Sequence, residues 1–230
     1  MSDFAPPTDH GDLLEVLPDV YWLQGTVRMG PGMTINRVMT VLQHEGELTV
    51  VNAVRPSDPA VLDALGEVKH VVKIGMHGMD DAWFRAHYGA RYWAAEGVEG
   101  ADVVLGPDTE QPVPWMRTFR FEHTQQPELA LLLDRDEGVL VTCDCVQHWP
   151  DTQRCSLFAK GLTRAMGFTA RTAQIGPPWH KIQTPEGGSL RADFERLAAL
   201  PFAHLVSGHG APLMGTARQE LQSTVAAVFR

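Results

Sequence analysis

A single α/β domain is the fold class predicted for this chain of 230 residues. Three observations predict it. Short apolar runs that read as strands alternate with segments of helical period, and two strand-helix successions occur, one in each half. Four times a strand empties into a short loop carrying a histidine or an aspartate, the place where α/β proteins put their chemistry. No 20–50-residue repeat and no long linker divides the chain, so one domain over residues 1–230 is expected.

The elements follow in order. Residues 1–15 read as an irregular polar lead-in, ending near Pro18. Residues 20–23 and 37–42 read as strands, a turn follows at residues 43–47, and residues 48–51 resume as a strand, making a meander. Asp58 can cap a first helix, with Pro59 at its first position, Val61, Leu62 and Leu65 on one face and Gly66 as its stop. Residues 70–74 form a buried-type strand that runs into Gly75-Met76-His77-Gly78-Met79-Asp80-Asp81, then into an aromatic segment from Trp83 to Tyr92. In the second half Phe119-Arg120-Phe121 leads to His123. Residues 129–133 and 139–142 make a hairpin whose second strand ends in Cys143-Asp144-Cys145. Residues 146–188 have weak periodicity and stay unassigned. A helix from about Ser189 turns Leu190, Phe194 and Leu197 inward, and strand 204–206 precedes Ser207-Gly208-His209-Gly210. A last helix opens at Thr216, with Gln219 in the capping-box position and Leu221, Val225 and Val228 inward.

Composition narrows the function. The net charge of −9 argues against a nucleic-acid backbone as the main partner, because phosphate binding needs clustered Lys and Arg. No apolar run reaches the roughly 18 residues of a spanning helix. The first residues lack a basic leader and an apolar signal core. Three cysteines, two of them flanking Asp144, are no disulfide framework. A cytoplasmic protein with a small-molecule substrate is expected, without nucleic acid or membrane as partner; a homodimer is left open.

The four loops, His77 with Asp80 and Asp81, then His123, Asp144 and His209, resemble in order the metallo-β-lactamase superfamily. That family gathers metal ligands from a His-x-His-x-Asp-His motif, a lone His, a strand-terminal Asp and a final His, often in Gly-His-Gly. Glu122-His123-Thr124 is similar to the second motif, Thr142-Cys143-Asp144 to the third and Ser207-Gly208-His209-Gly210 to the last. The strand before the first helix is also similar, with Val51-Asn52-Ala53-Val54 where the family often has Ile-Asp-Thr-Gly. The resemblance runs from about Val16 to Phe229. It implies a four-layer αβ/βα sandwich, two mixed β-sheets between outer helices.

The first motif departs from the pattern. In one register His77 takes the first histidine position and Asp81 the aspartate, with Met79 and Ala82 in place of the other histidines. In a second register Asp80 is the aspartate and Asp81 the final histidine position. The first is preferred because it keeps a His and an Asp unaltered. The resemblance then implies metal ligands His77, Asp81, His123, Asp144 and His209. One metal position would keep His77 and His123, the other Asp81, Asp144 and His209, with Asp144 as bridge. Asp81 and Asp144 are the expected catalytic carboxylates, and His148 and His180 the expected substrate-binding residues. Imidazole and carboxylate suit one or two divalent ions, zinc first, with iron or manganese as alternatives. The implied activity is hydrolysis of an ester, thioester, lactone or phosphoester by metal-activated water. A scaffold that has lost catalysis and binds or regulates, and an iron-dependent oxidoreductase, are the rival readings.

Other residues read as structural. Asp80 reads as an ordinary helix N-cap. Cys143 and Cys145 should share a face opposite Asp144 and behave as small buried hydrophobes. Trp83, Phe84, Tyr88, Tyr92 and Trp93 are expected in the core.

Overall fold

A computed structural model describes residues 4–168 and 171–230. The first sheet is built from β1 (His10–Leu17), β2 (Val20–Gly30), β3 (Met33–His44), β4 (Glu47–Val51), β5 (Glu67–Lys73), β6 (Arg91–Ala94) and β7 (Val103–Val104), in that spatial order. Its first four strands are an antiparallel meander. From β4 onward the neighbours run parallel, because the crossovers carry α1 (Ala60–Asp63) and α2 (Asp81–Tyr88). The second sheet has β8 (Met116–Arg120), β9 (Leu129–Leu133), β10 (Val139–Thr142) and β13 (His204–Ser207), ordered β13-β10-β9-β8. A two-stranded ribbon, β11 (Val146–Gln147) with β12 (Gln174–Ile175), sits apart. The other helices are α3 (Leu157–Ala165), α4 (Pro177–Gln183), α5 (Arg191–Ala199) and α6 (Ala217–Val228).

Strand alternation distributes apolar side chains into three buried layers. Leu129, Leu131, Leu133, Val139 and Val141 face the first sheet and meet Val38, Leu42, Val51 and Val72. The intervening Ala130, Leu132 and Leu140 face outward onto Trp179, Phe194, Leu197 and Leu221 of the outer helices. Across the first sheet, Val41, Leu48, Val50 and Val71 pack on Leu62, Trp83 and Phe84. Helix, sheet, sheet, helix is therefore the layer order, the expected four-layer sandwich with two mixed sheets. Among the described residues no helix is long and apolar enough to cross a membrane.

Several expectations need correction. The lead-in is not irregular throughout: residues 4–9 carry no helix or strand, but β1 begins at His10 and pairs with β2 through two register shifts. An edge strand that is half exposed alternates weakly, which hid it. Val61 and Val228 are exposed on their helices. Thr216 does not cap α6 by its side chain; its hydroxyl donates to Glu220 Oε1 at 2.6 Å. Cys143 and Cys145 lie in different layers, one between the sheets and one under the outer helices, because the chain turns after β10. Both are fully buried, in keeping with a packing role.

Candidate metal centre

Parallel pairing sets the site. β10 and β13 match Thr142 to Ser207, and each strand overruns that pair by two residues to reach Asp144 and His209. The Gly208 amide donates to the Cys143 carbonyl at 3.1 Å, and the Val38 amide donates to the Gly208 carbonyl at 2.8 Å, tying this end of the second sheet to β3. His77 comes from the first sheet, on the loop after β5. Asp80 fastens that loop: its Oδ2 accepts from the buried Arg37 guanidinium and, at 2.8 Å, from the Arg55 amide. Asp80 occupies the N-cap position of α2, but its carboxylate is spent on these partners rather than on the helix amides.

His77, Asp144 and His209 thereby converge. The two Nε2 atoms are 3.1 Å apart, His209 Nε2 lies 3.1 Å from Asp144 Oδ1, and His77 Nε2 lies 3.5 Å from Asp144 Oδ2. His209 Nδ1 is 2.5 Å from the Asn36 carbonyl, which can only accept, so the neutral ring carries its proton there and leaves Nε2 bare. A second hydrogen bond, from the Gly210 amide to Asn36 Oδ1 at 2.9 Å, and the stacked Trp149 indole, 5.7 Å between centroids, fix the ring further. Burial pulls His77 down to about 4 against the attraction of Asp144, helped by the charges of His209, Arg37 and Lys73. Its imidazole is neutral at pH 7. Burial would raise Asp144, yet at the low pH where both imidazoles are protonated the pull of His77 and the hydrogen bond and charge of His209 outweigh it, holding the carboxyl below the usual range.

Lone pairs from three residues thus face one point, and a proton on His77 Nε2 or a cation must reconcile them. The donor separations suit a cation: a tetrahedral zinc with bonds of about 2.0–2.1 Å has ligand atoms roughly 3.3–3.4 Å apart. The oriented Nδ1 of His209 is the outer support that ligating histidines normally have. The residues present fit one divalent ion.

The remaining expected ligands lie elsewhere. Asp81 opens α2 and is directed beneath it, toward Lys73 and Tyr92, with both carboxylate oxygens buried and lacking a hydrogen-bond partner. Burial lifts its carboxyl to about 6, against the pull of Lys73. It is not among the donor atoms that meet at His77, Asp144 and His209. His123 is half exposed, and its Nδ1 is 3.1 Å from Asp193 of α5. With Glu122 the two make a second group of possible donors. Asp193 is already saturated there by the Glu122 and His123 amides and by Arg196, so the group reads as a tie between β8 and α5. His180 packs on Phe229 in the outer helical layer and lines no part of the triad. His148 is buried alongside Gly210, with its Nδ1 3.0 Å from the Ala211 carbonyl, and is not among the converging donors.

No family model and no curated protein matches this sequence. Solved structures do. The chain superposes on VMB-1 with a TM-score of 0.66 at 11% identity, covering 97% of this chain and 99% of that one. A metallo-β-lactamase from Hirschia baltica gives 0.64 at 11%, covering 96% and 97%. FIM-1 from Pseudomonas aeruginosa, described as a metallo-β-lactamase in its mono-zinc form, gives 0.62 at 10%, covering 97% of each chain. The chain has the metallo-β-lactamase fold.

Within this metallo-β-lactamase fold, sequence reasoning missed three residues that shape the centre. Asn36 and Trp149 orient His209. Glu128 lies under Asp144, where its carboxyl faces the Asp144 amide, the Cys145 thiol and the Trp179 indole with no oxygen in hydrogen-bond geometry. Burial, reinforced by the charge of Asp144, raises Glu128 well above its ordinary value. Glu128 directly precedes β9, and nothing in that position announces such a role.

Proposed function

We propose that the protein is a hydrolase dependent on one divalent ion, zinc in the first instance, held by His77, Asp144 and His209. The observation that carries this reading is the meeting of His209 Nε2, the nitrogen left free when Nδ1 donates to the Asn36 carbonyl, with a neutral His77 and an ionised Asp144. Once bound, the ion would supply Lewis acidity and lower the pKa of its water toward about 7.

The protein's own groups do the rest. Asp144 contributes the one negative charge of the set and turns an oxygen to each imidazole. Trp149 seals the far face of His209 against water. His77 and Asp144 keep 21% and 17% of their side-chain surface in solvent, so approach is open on their side alone. Three protein ligands and an open side are the arrangement of a catalytic rather than a structural zinc site. A small ester, thioester, lactone or phosphoester is the substrate class such a site handles. The mono-zinc form of the FIM-1 neighbour supports occupancy by a single ion on this fold.

The test is elemental analysis of purified protein. About one equivalent of zinc per chain is expected, falling to background in His209→Ala while the circular dichroism spectrum persists. Protein that takes up no metal after reconstitution sinks the proposal and favours a binding scaffold; stoichiometric iron with redox turnover favours an oxidoreductase.

A further inference from the structure

Acidic residues are unevenly spread. All 28 Asp and Glu residues of the chain fall outside two stretches, 20–44 and 152–185, and the structure brings the exposed parts of those stretches together. Ser156, the N-cap of α3, donates its hydroxyl to the Gly32 carbonyl at 2.8 Å. Its amide donates to the Thr34 carbonyl at 2.9 Å, so α3 is clamped to the tip of the β2–β3 hairpin. The inner face of α3, with Ala159, packs on Trp149 and Phe168. The outer face is apolar at its centre and basic beside it. Leu157 is 88% and Phe158 63% exposed, and Met29 at the hairpin tip is 59% exposed. Arg28, Lys160 and Arg164 surround them, all exposed. Among the described residues none of these three cations has an acidic partner. Only Arg154 at the margin has one, Asp9 at 2.5 Å.

Three large apolar side chains more than half exposed between unpaired cations mark a contact surface rather than an ordinary solvated face. The net charge of −9 disfavours contact with anionic surfaces overall, and this face is a locally cationic exception. We propose that this face docks on an anionic lipid bilayer, with Leu157, Phe158 and Met29 entering the headgroup region and Arg28, Lys160 and Arg164 meeting lipid phosphates. An interfacial helix of this kind needs an apolar face and flanking Lys or Arg, not spanning length. At nine residues α3 lies on a membrane and cannot cross it. The absence of a spanning run, which led the sequence to be read as having no membrane partner, does not bear on such contact. An acidic protein segment would satisfy the cations but would leave Leu157 and Phe158 uncovered, which is why lipid is favoured.

The probe is a set of extruded vesicles, either pure phosphatidylcholine or phosphatidylcholine with 30% phosphatidylglycerol (~30%, to give a clearly anionic surface). Co-flotation of the intact chain with the anionic vesicles alone is expected, weakening as salt rises. Each Lys or Arg at an anionic surface is worth about fivefold in partitioning, so Lys160→Glu with Arg164→Glu should lower binding by at least about 25-fold. Leu157→Ser with Phe158→Ser should abolish flotation. All four positions are exposed, and an unchanged thermal midpoint verifies that each variant folds. Flotation equal for wild type and both variants, or none by wild type, overturns the proposal. Binding to poly-glutamate but not to vesicles reassigns the face to an acidic partner, and a dimer lost in the Leu157→Ser, Phe158→Ser variant reassigns it to a second copy. None of these readouts depends on metal or turnover.

Discussion

Asp81 shows how four residues of separation in sequence mislead. It stands at the right distance from His77 to share a motif, but it is the first residue of α2, and its side chain turns in beneath the helix toward Lys73 and Tyr92 while His77 stays on the loop. The consequence is a measurable instability. Its carboxyl titrates at 3.8 when unfolded and about 6 when folded, so the native state holds the proton more tightly. Below pH 4 the group costs nothing; as pH rises through the 4–6 window the folded state must ionise a buried carboxyl whose desolvation Lys73 and Tyr92 only partly offset, and it loses stability. Asp81→Asn removes that burden. Urea unfolding should find the variant more stable by about 1–3 kcal/mol at pH 7.5, a gain that vanishes at pH 4. A variant less stable at both pH values would show that the ionised form is held productively.

Secondary elements differ in how plainly the sequence displays them, and the reason is burial. Leu129-Ala130-Leu131-Leu132-Leu133 is buried on both faces and reads as a strand at sight, as does residues 139–142. β11 and β12 are two residues each, too short to show any period, so residues 146–188 stayed unread. The loop donors were legible through their order along the chain, with Asp144 and His209 each closing a strand. Convergence was not, because it depends on which way each loop turns. Gly210 makes this concrete at the scale of one turn. Its φ is +80°, and a Cβ placed there would fall 1.9 Å from the His148 carbonyl oxygen. Gly210→Ala should cost roughly 3 kcal/mol or more, combining left-handed strain with a backbone clash. Because the displaced residue adjoins His209, bound metal should fall with it. Loss of stability with metal content intact would separate the turn from the centre.

At the scale of the molecule, the donor set spans both sheets: His77 hangs from the first, Asp144 and His209 from the second. An ion there ties the two halves of the sandwich across their apolar interlayer. Binding only to the folded state should stabilise it by about 4 kcal/mol at a thousandfold excess over the dissociation constant. For a domain of this size that is on the order of a 10 °C rise in Tm. Thermal scans with zinc and with chelator should differ by about this much for the wild type and not at all for His209→Ala. An equal zinc response in that variant would place the stabilising ion elsewhere.

The matched overrun of β10 and β13 past Thr142 and Ser207 carries a lesson about divergence. Spacing between the two donors is counted off along neighbouring strands, so one residue gained or lost before either would rotate that side chain to the wrong surface. The long excursion joining those strands, from α3 to α5, enters the count nowhere. That excursion can be lengthened, trimmed or redecorated while the count that places Asp144 beside His209 stays untouched.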